Sequence, residues 1–119
     1  MRPIRLPSKR KKTPESGVLR ACLDLLEWQK IFHIRMNTGA MRIGDRFFRF
    51  GKPGTADIVA FPRKNGQVLM LWIECKSANG RQSECQKEFE KQVSNEDHHY
   101  LLVRDVDTLR RWLKEHGVI

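Results

Sequence analysis

The feature that most restricts the fold is a continuous apolar segment, residues 68–75, which reads Val-Leu-Met-Leu-Trp-Ile-Glu-Cys. A run of this length without polar alternation is typical of a strand that is buried on both faces, and only the centre of a sheet offers that environment. The pair Asn65-Gly66 precedes the run and favours the tight turn of a hairpin. The segment therefore predicts a central strand that pairs with the strand before it.

The segments around this strand predict a mixed α/β fold. Ser83 and Gln86 fit the capping-box pattern, so a helix should follow the central strand. A strand–helix–strand crossover joins parallel neighbours, so we expect a mixed β-sheet flanked by α-helices. The predicted elements are a helix at 14–30 with Thr13 as its N-cap, strands at 32–36, 41–43, 46–50, 57–61 and 68–75, a helix at 83–93, a strand at 100–103 and a helix capped by Asp105.

The apolar pattern also predicts which side chains are buried. Apolar and polar residues alternate over 32–36, which is typical of a half-buried strand. The tryptophans and two of the cysteines are expected to fill or border the core. These residues are Trp28, Trp72, Trp112, Cys75 and Cys85.

Charge is the feature that indicates a partner. The chain has 23 Lys and Arg against 14 Asp and Glu, a formal net charge of +9. Residues 1–12 hold six of the positive charges and no acid, and we expect them to form a disordered arm that contacts phosphates. Residues 13–119 are expected to form one domain. The basic balance favours nucleic acid as a partner, although a basic arm on an ordinary protein gives the same balance.

The sequence disfavours a membrane or secreted protein, and also a metal site built from cysteines. No run is long and apolar enough to span a bilayer, and the N-terminus lacks the apolar part of a signal peptide, so we expect no membrane association. The cysteines, Cys22, Cys75 and Cys85, are odd in number and lack metal-ligand spacing. A reduced cytosolic or nucleoid setting is therefore expected.

Three ionisable residues lie at the ends of the two strands that the Asn-Gly turn joins. Glu74 and Lys76 project to the same side because strand residues alternate faces, and pairing about the turn brings Asp57 near Glu74. Two close carboxylates repel unless a cation lies between them, and Mg²⁺ prefers oxygen ligands. We therefore expect Asp57 and Glu74 to bind Mg²⁺ or Mn²⁺, with the backbone carbonyl of Cys75 as a further ligand. Lys76 would then orient the attacking water or neutralise charge on the phosphate.

Simpler interpretations of the same residues remain open at this point. A Glu–Lys pair two residues apart, with an Asp nearby, also occurs on exposed strands. Glu15, in the first turn of the first helix, suits the positive end of the helix dipole. Gln86 has a structural task as the capping-box residue.

The motifs around these residues resemble those of a nuclease family. Segments 54–57, 73–76 and 80–86 read GTAD, IECK and GRQSECQ. They resemble the VRR-NUC family of the PD-(D/E)xK superfamily, and the resemblance covers roughly residues 13–117. Ala56 stands where the superfamily name has Pro, but proline is not a ligand and its absence leaves the chemistry intact.

The resemblance implies a restriction-endonuclease-like core and assigns roles to five residues. Asp57 and Glu74 are implied as metal ligands, and Lys76 as the catalytic lysine. Gln86 matches an extra glutamine of the family, and Glu15 matches an acidic residue that approaches the metals. Together they are the expected catalytic set.

The resemblance also implies a function. It is that of a Mg²⁺- or Mn²⁺-dependent DNA endonuclease, selective for branched DNA such as four-way (Holliday) junctions. A homodimer is expected, because paired cuts need two active sites, and so is a cytoplasmic setting in a bacterial or phage-infected cell. A non-catalytic basic nucleic-acid-binding module is the alternative, and an RNA- or restriction-type nuclease is a third possibility, since the fold does not choose the substrate.

Overall fold

Four strands form a mixed sheet at the centre of the fold, and helices pack against both of its faces. The structure, a computed structural model, describes residues 14–37 and 39–119, so the predicted basic arm lies outside the described residues. In chain order the elements are α1 (Glu15–Trp28), β1 (His33–Arg35), β2 (Gly39–Ile43), β3 (Arg46–Phe50), β4 (Ile58–Ala60), β5 (Arg63–Lys64), β6 (Gln67–Val68), β7 (Leu71–Cys75), α2 (Glu84–Asn95), β8 (His99–Val103) and α3 (Val106–Glu115).

The strand order in the main sheet is β1-β4-β7-β8. β4 pairs antiparallel with both β1 and β7, whereas β7 and β8 are parallel and are joined through α2. Leu71 and Ile73 of β7 are completely buried, and the strand has a neighbour on each side. The prediction of a mixed sheet is confirmed. Of the predicted strand at 68–75, residues 71–75 form the central strand, whereas Val68 lies in β6 and is 54% exposed.

Both predicted hairpin turns are present. Gly44 and Asp45 connect β2 to β3, and Asn65 and Gly66 connect β5 to β6. Asn65 and Gly66 have φ angles of 51° and 80°, the left-handed values for which an Asn-Gly pair is suited. Each hairpin forms a separate two-stranded sheet.

The β5–β6 hairpin is the tip of the longer hairpin that β4 and β7 form at its base. Between tip and base, the amide of Leu69 donates to the carbonyl of Pro62 at 2.8 Å. The residue count on the two sides of the turn is the same at the base, where Ile58 faces Ile73. A single register therefore runs from the Asn-Gly turn to the sheet.

Helices cover the two faces of the sheet unequally. α1 and α3 pack on one face through apolar residues at helical spacing, and each fully buried Leu or Ile among them stabilises the fold by about 1.5–3 kcal/mol. α2 covers part of the other face, where Phe89 packs edge-on against Trp72 with ring centroids 5.0 Å apart. The buried residues of α1 and α3 are Val18, Cys22, Leu25, Leu26, Leu109 and Leu113.

In the described part of the chain, no helix has the length and apolar character needed to cross a membrane.

Several burial predictions are wrong. Trp28, the last residue of α1, is 82% exposed, and the β1 region exposes 67% of Phe32 and 46% of Ile34. Ile34 lies on the same face as Trp72, but α2 packs over β7 and β8 and does not reach the edge strand β1. Cys85 is exposed in the first turn of α2, where its backbone carbonyl faces Gly54. Trp72 and Trp112 are half-buried, and Cys75 is buried as expected.

The start of α1 also differs from the prediction. Pro14 is the N-cap, with an extended backbone (φ −63°, ψ 158°) and no side-chain capping bond. The expected N-cap, Thr13, is therefore one residue too early, and it lies outside the described residues. The capping box of α2 is present as predicted, and so is the Asp105 cap of α3.

Candidate metal centre at the end of the central strands

Two carboxylates meet where β4 begins and β7 ends. Because Ile58 faces Ile73 in the antiparallel pairing, the next facing pair outward is Asp57 and Glu74. The Asp57 side chain is fixed by the backbone, since its Oδ2 accepts a hydrogen bond from the amide of Cys75 at 2.7 Å. The structure therefore brings together the two residues that the turn register placed side by side.

Glu74 is the most buried charged residue described, with 1% of its surface exposed. Its Oε2 accepts a hydrogen bond from Nε2 of Gln86 at 3.1 Å, and its buried Oε1 has no hydrogen-bond partner among the described residues. Burial, followed by the negative charge of Asp57, raises the pKa of Glu74 from 4.5 to about 8. A carboxylate in this position strongly favours an additional proton or cation.

Lys76 provides the positive charge of the site. It is 8% exposed, and its Nζ lies 3.7 Å from Oε2 of Glu74, on the same side of the chain as expected from strand alternation. Its amide donates to the carbonyl of Val103 at 2.9 Å, which ties the residue to the end of β8. The Lys76 charge lowers the pKa of Glu74 but does not cancel the effects of burial and of Asp57.

Gln86 caps α2 and also contacts the candidate site. Its Oε1 accepts a hydrogen bond from the amide of Ser83 at 2.9 Å, which completes the capping box. Its Nε2 donates to Glu74 at the same time. The glutamine thus links the start of α2 to the buried carboxylate, a link that a residue serving only as a cap would not make.

Glu15 and Cys75 have weaker connections to this centre. Glu15 is the exposed first residue of α1, and its negative charge is the smallest of the influences that raise the pKa of Glu74. The amide of Cys75 contacts Asp57, whereas its thiol is on the opposite face and contacts Cys22 of α1. Across residues 14–37 and 39–119, no group of three or more His, Cys, Asp or Glu residues is arranged to hold a metal ion. The centre therefore rests on the Asp57–Glu74 pair.

The glycine-rich loop at 51–56 fixes the position of Asp57 relative to α2. Gly54 has φ +84°, and a Cβ atom there would lie 2.2 Å from the carbonyl oxygen of Cys85. The Thr55 hydroxyl donates to the carbonyl of Lys52 at 2.6 Å and closes the turn. Only glycine allows this close contact between the loop and the first turn of the helix.

Sequence reasoning missed the supports that lie behind these residues. Nε2 of Gln82 donates to Glu90 at 3.0 Å and to the Tyr100 hydroxyl at 3.1 Å, which anchors the segment before α2. Nη1 of Arg104 donates to backbone carbonyls of the turn that follows Lys76. The parallel pairing of β7 with β8 is the signal that could have revealed Arg104, because it places the residue after Val103 beside that turn.

The histidine pair at 98–99 does not belong to this centre. Nδ1 of His98 accepts a hydrogen bond from the indole of Trp72 at 3.3 Å. His99 packs edge-on against Trp112, with centroids 5.3 Å apart, and burial lowers its pKa. Both histidines have packing roles.

Comparison of the chain with protein-family models, with curated proteins and with solved structures found no significant match. The VRR-NUC resemblance therefore stays a prediction that rests on three short motifs. The geometry described above is independent of that resemblance.

Proposed function

We propose that the chain is a metal-dependent DNA endonuclease with a restriction-endonuclease-like core of the VRR-NUC type. The observation that carries the proposal is the burial of Glu74 beside Asp57, with one carboxylate oxygen lacking a partner among the described residues. A structural carboxylate in such a place would be expected to have all of its hydrogen bonds satisfied. The mixed sheet with helices on both faces also suits this type of core.

The donor set fits a hard divalent cation. Asp57 and Glu74 would hold Mg²⁺ or Mn²⁺, the Cys75 carbonyl would add a neutral oxygen, and Glu15 is a candidate for a further ligand. When bound, such an ion stabilises charge on the phosphate and lowers the pKa of bound water. A cation would also relieve the repulsion that raises the pKa of Glu74.

The protein side chains have separable tasks in this proposal. Lys76, held at the site by burial, donates a hydrogen bond to a phosphate oxygen or orients the attacking water. Gln86 holds Glu74 in place through its 3.1 Å bond and leaves the other carboxylate oxygen to the cation. Lys52 and Arg81 are exposed in the loops on either side of the site and suit contacts with DNA phosphates.

Branched DNA is the proposed substrate class, and a two-fold dimer is the proposed assembly. A dimer is supported by the large apolar side chains of Trp28, Phe32 and Ile34, each of which is exposed and would be covered by a subunit contact. Two subunits would supply the two sites that paired cuts require. Sedimentation equilibrium tests the assembly, and a purely monomeric protein at micromolar concentration would contradict it. The proposed setting is the cytoplasm of a bacterial or phage-infected cell.

The decisive experiment is cleavage of four-way-junction, flap and linear duplex DNA in the presence of Mg²⁺ or Mn²⁺. We expect Glu74→Gln and Lys76→Met to reduce the cleavage rate by about 100-fold or more, because each removes a group that acts on the transition state. Lys87→Met is the matched control, since Lys87 is exposed on α2 and pairs only with Glu84 at 3.4 Å among the described residues.

A second measurement separates the nuclease from the alternative, a non-catalytic basic nucleic-acid-binding module. Mn²⁺ titration should show a site that Asp57→Asn or Glu74→Gln abolishes and Glu84→Gln leaves intact. If wild type binds DNA but neither binds Mn²⁺ nor cleaves any substrate, the binding module is the correct description. Cleavage of RNA or of a specific duplex sequence in place of branched DNA would keep the chemistry and change the substrate.

A further inference from the structure

Arg104 lies directly after β8 and reaches back to the turn that follows the central strand. Its Nη1 donates to the carbonyl of Ser77 at 2.6 Å, to that of Gly80 at 2.7 Å and, more weakly, to that of Ala78 at 3.3 Å. Among the described residues, no carboxylate lies within ion-pair distance of this guanidinium. Arg104 therefore binds backbone oxygens of the turn rather than an acidic side chain.

The turn at 77–80 lies beside Lys76 of the candidate site. The amide of Gly80 donates to the carbonyl of Ser77 at 3.1 Å, and this bond closes the turn. A Cβ atom on Gly80 would lie 3.3 Å from Cδ of Lys76, so the backbone of the turn packs against the lysine stem. The turn therefore limits the space in which the Lys76 ammonium can move.

The same turn leads into α2. Only residues 81–83 separate it from the first residue of α2, and Gln86 in the first turn of that helix holds Glu74. A displacement of the turn would reach both sides of the site, the lysine through direct packing and the carboxylate through the helix. One guanidinium thus stabilises the backbone that connects the two.

We infer that Arg104 is a positioning residue for Lys76 and for the first turn of α2. This inference rests on the proposed nuclease function. Three of the five N–H groups of an arginine belong to Nε and Nη2, outside the bonds described here, so a direct contact with a DNA phosphate is the competing role. Charge-assisted hydrogen bonds to two close carbonyls favour a fixed guanidinium over a mobile one.

The kinetic test compares Arg104→Met with Arg63→Met. Both changes remove one exposed positive charge, but Arg63 lies in β5, at the opposite end of the β4–β7 hairpin. For Arg104→Met we expect kcat on a four-way junction to fall about 10- to 100-fold, because misplacement of a catalytic group by about 1 Å has effects of that size. KM and the salt dependence of junction binding in EDTA should match those of the control. The opposite result is a raised KM with unchanged kcat, and a plot of log binding constant against log salt concentration whose slope is smaller in magnitude by about 0.9. In that case Arg104 is a phosphate contact and the inference is wrong.

Amide hydrogen exchange gives a result that does not depend on catalysis. Exchange at residues 77–82 should be faster in Arg104→Met than in wild type or Arg63→Met, with the sheet amides unchanged. Unchanged exchange in that segment would overturn the inference even if activity were lost. If wild type cleaves no DNA, the proposed function fails separately, and exchange still decides whether Arg104 holds the turn.

Discussion

At the scale of single residues, the buried carboxylate of Glu74 makes the stability of the protein depend on pH. Its pKa is raised to about 8 in the folded state, above the ordinary 4.5, so between these values the folded protein binds a proton that the unfolded chain has released. This contribution to stability is complete below pH 4.5, decreases as the pH rises through the window, and is lost above about pH 8. A bound cation would remove the effect by stabilising the carboxylate.

The first prediction is that Glu74→Gln stabilises the metal-free protein at pH 8. An uncharged amide avoids the cost of burying a carboxylate, and because one pKa unit is worth about 1.4 kcal/mol, the gain should be a few kcal/mol. The measurement is thermal unfolding in EDTA from pH 5 to 8.5 for both proteins. Their difference should grow with pH and shrink when Mn²⁺ is added to wild type. A difference that does not change with pH would contradict the cause assigned to the pKa shift.

The second prediction separates the two roles of Gln86. Glu is equally suited to the N3 position of a capping box, so Gln86→Glu preserves the acceptor for the Ser83 amide. It also replaces the donor to Glu74 with a third carboxylate. We expect cleavage to fall about 10- to 100-fold, the range typical of residues that orient metal ligands, with α2 intact by circular dichroism. Ser83→Ala is the control, since it should cost about 1 kcal/mol of stability and leave the rate nearly unchanged.

At the scale of secondary-structure elements, the contact between the 51–56 loop and α2 is the most sensitive point. Gly54→Ala would place Cβ 2.2 Å from the Cys85 carbonyl oxygen, while Gly66, with φ +80°, has nothing within 4 Å of its Cβ position. We predict that Gly66→Ala costs about 1 kcal/mol, the strain of a left-handed alanine, and that Gly54→Ala costs at least about 3 kcal/mol. Urea unfolding measures both. Equal losses would show that the loop can move away from the helix at no cost.

The elements themselves were largely predictable, because each depends on local chemistry. The Asn-Gly turn sets the pairing of β4 with β7, and the Ser83 capping box fixes the start of α2. What could not be predicted depends on which surfaces the helices reach. Ile34 lies in a strand whose alternation predicts one buried face, yet it is 46% exposed because α2 does not cover it. Sequence periodicity contains no information on which strands a helix covers.

The candidate site follows the same division. Asp57, Glu74 and Lys76 could be placed together from strand alternation and register alone. The second hydrogen bond of Gln86, to Glu74, and the hydrogen bonds of Arg104 to the 77–80 turn depend on where α2 and β8 lie in space. No local sequence pattern specifies these positions.

At the scale of the whole molecule, we expect DNA binding by the basic residues 1–12 to be separable from cleavage at the candidate site. Residues 1–12 carry six of the positive charges that give the net +9, whereas the candidate site lies in the sheet. We predict that deletion of residues 1–12 weakens junction binding and reduces the magnitude of the slope of log binding constant against log salt concentration by up to about 5. The value of kcat at saturating DNA should change less than about twofold. Fluorescence anisotropy over a salt series and single-turnover cleavage measure the two effects. A deletion that abolishes cleavage at saturating DNA would place the arm in the active site.

The unbroken register between the Asn-Gly turn and the sheet has a consequence for how this chain can change length. Asp57 faces Glu74 only because the turn at the far end of the hairpin contains two residues, Asn65 and Gly66. One added residue at that bend, unless absorbed as a bulge, would shift the facing partner of Asp57 by one and offer it a side chain from the wrong side of the strand. Insertions there should be tolerated only when they are matched on both arms of the hairpin, so the length of a distant surface turn fixes whether the two carboxylates face each other.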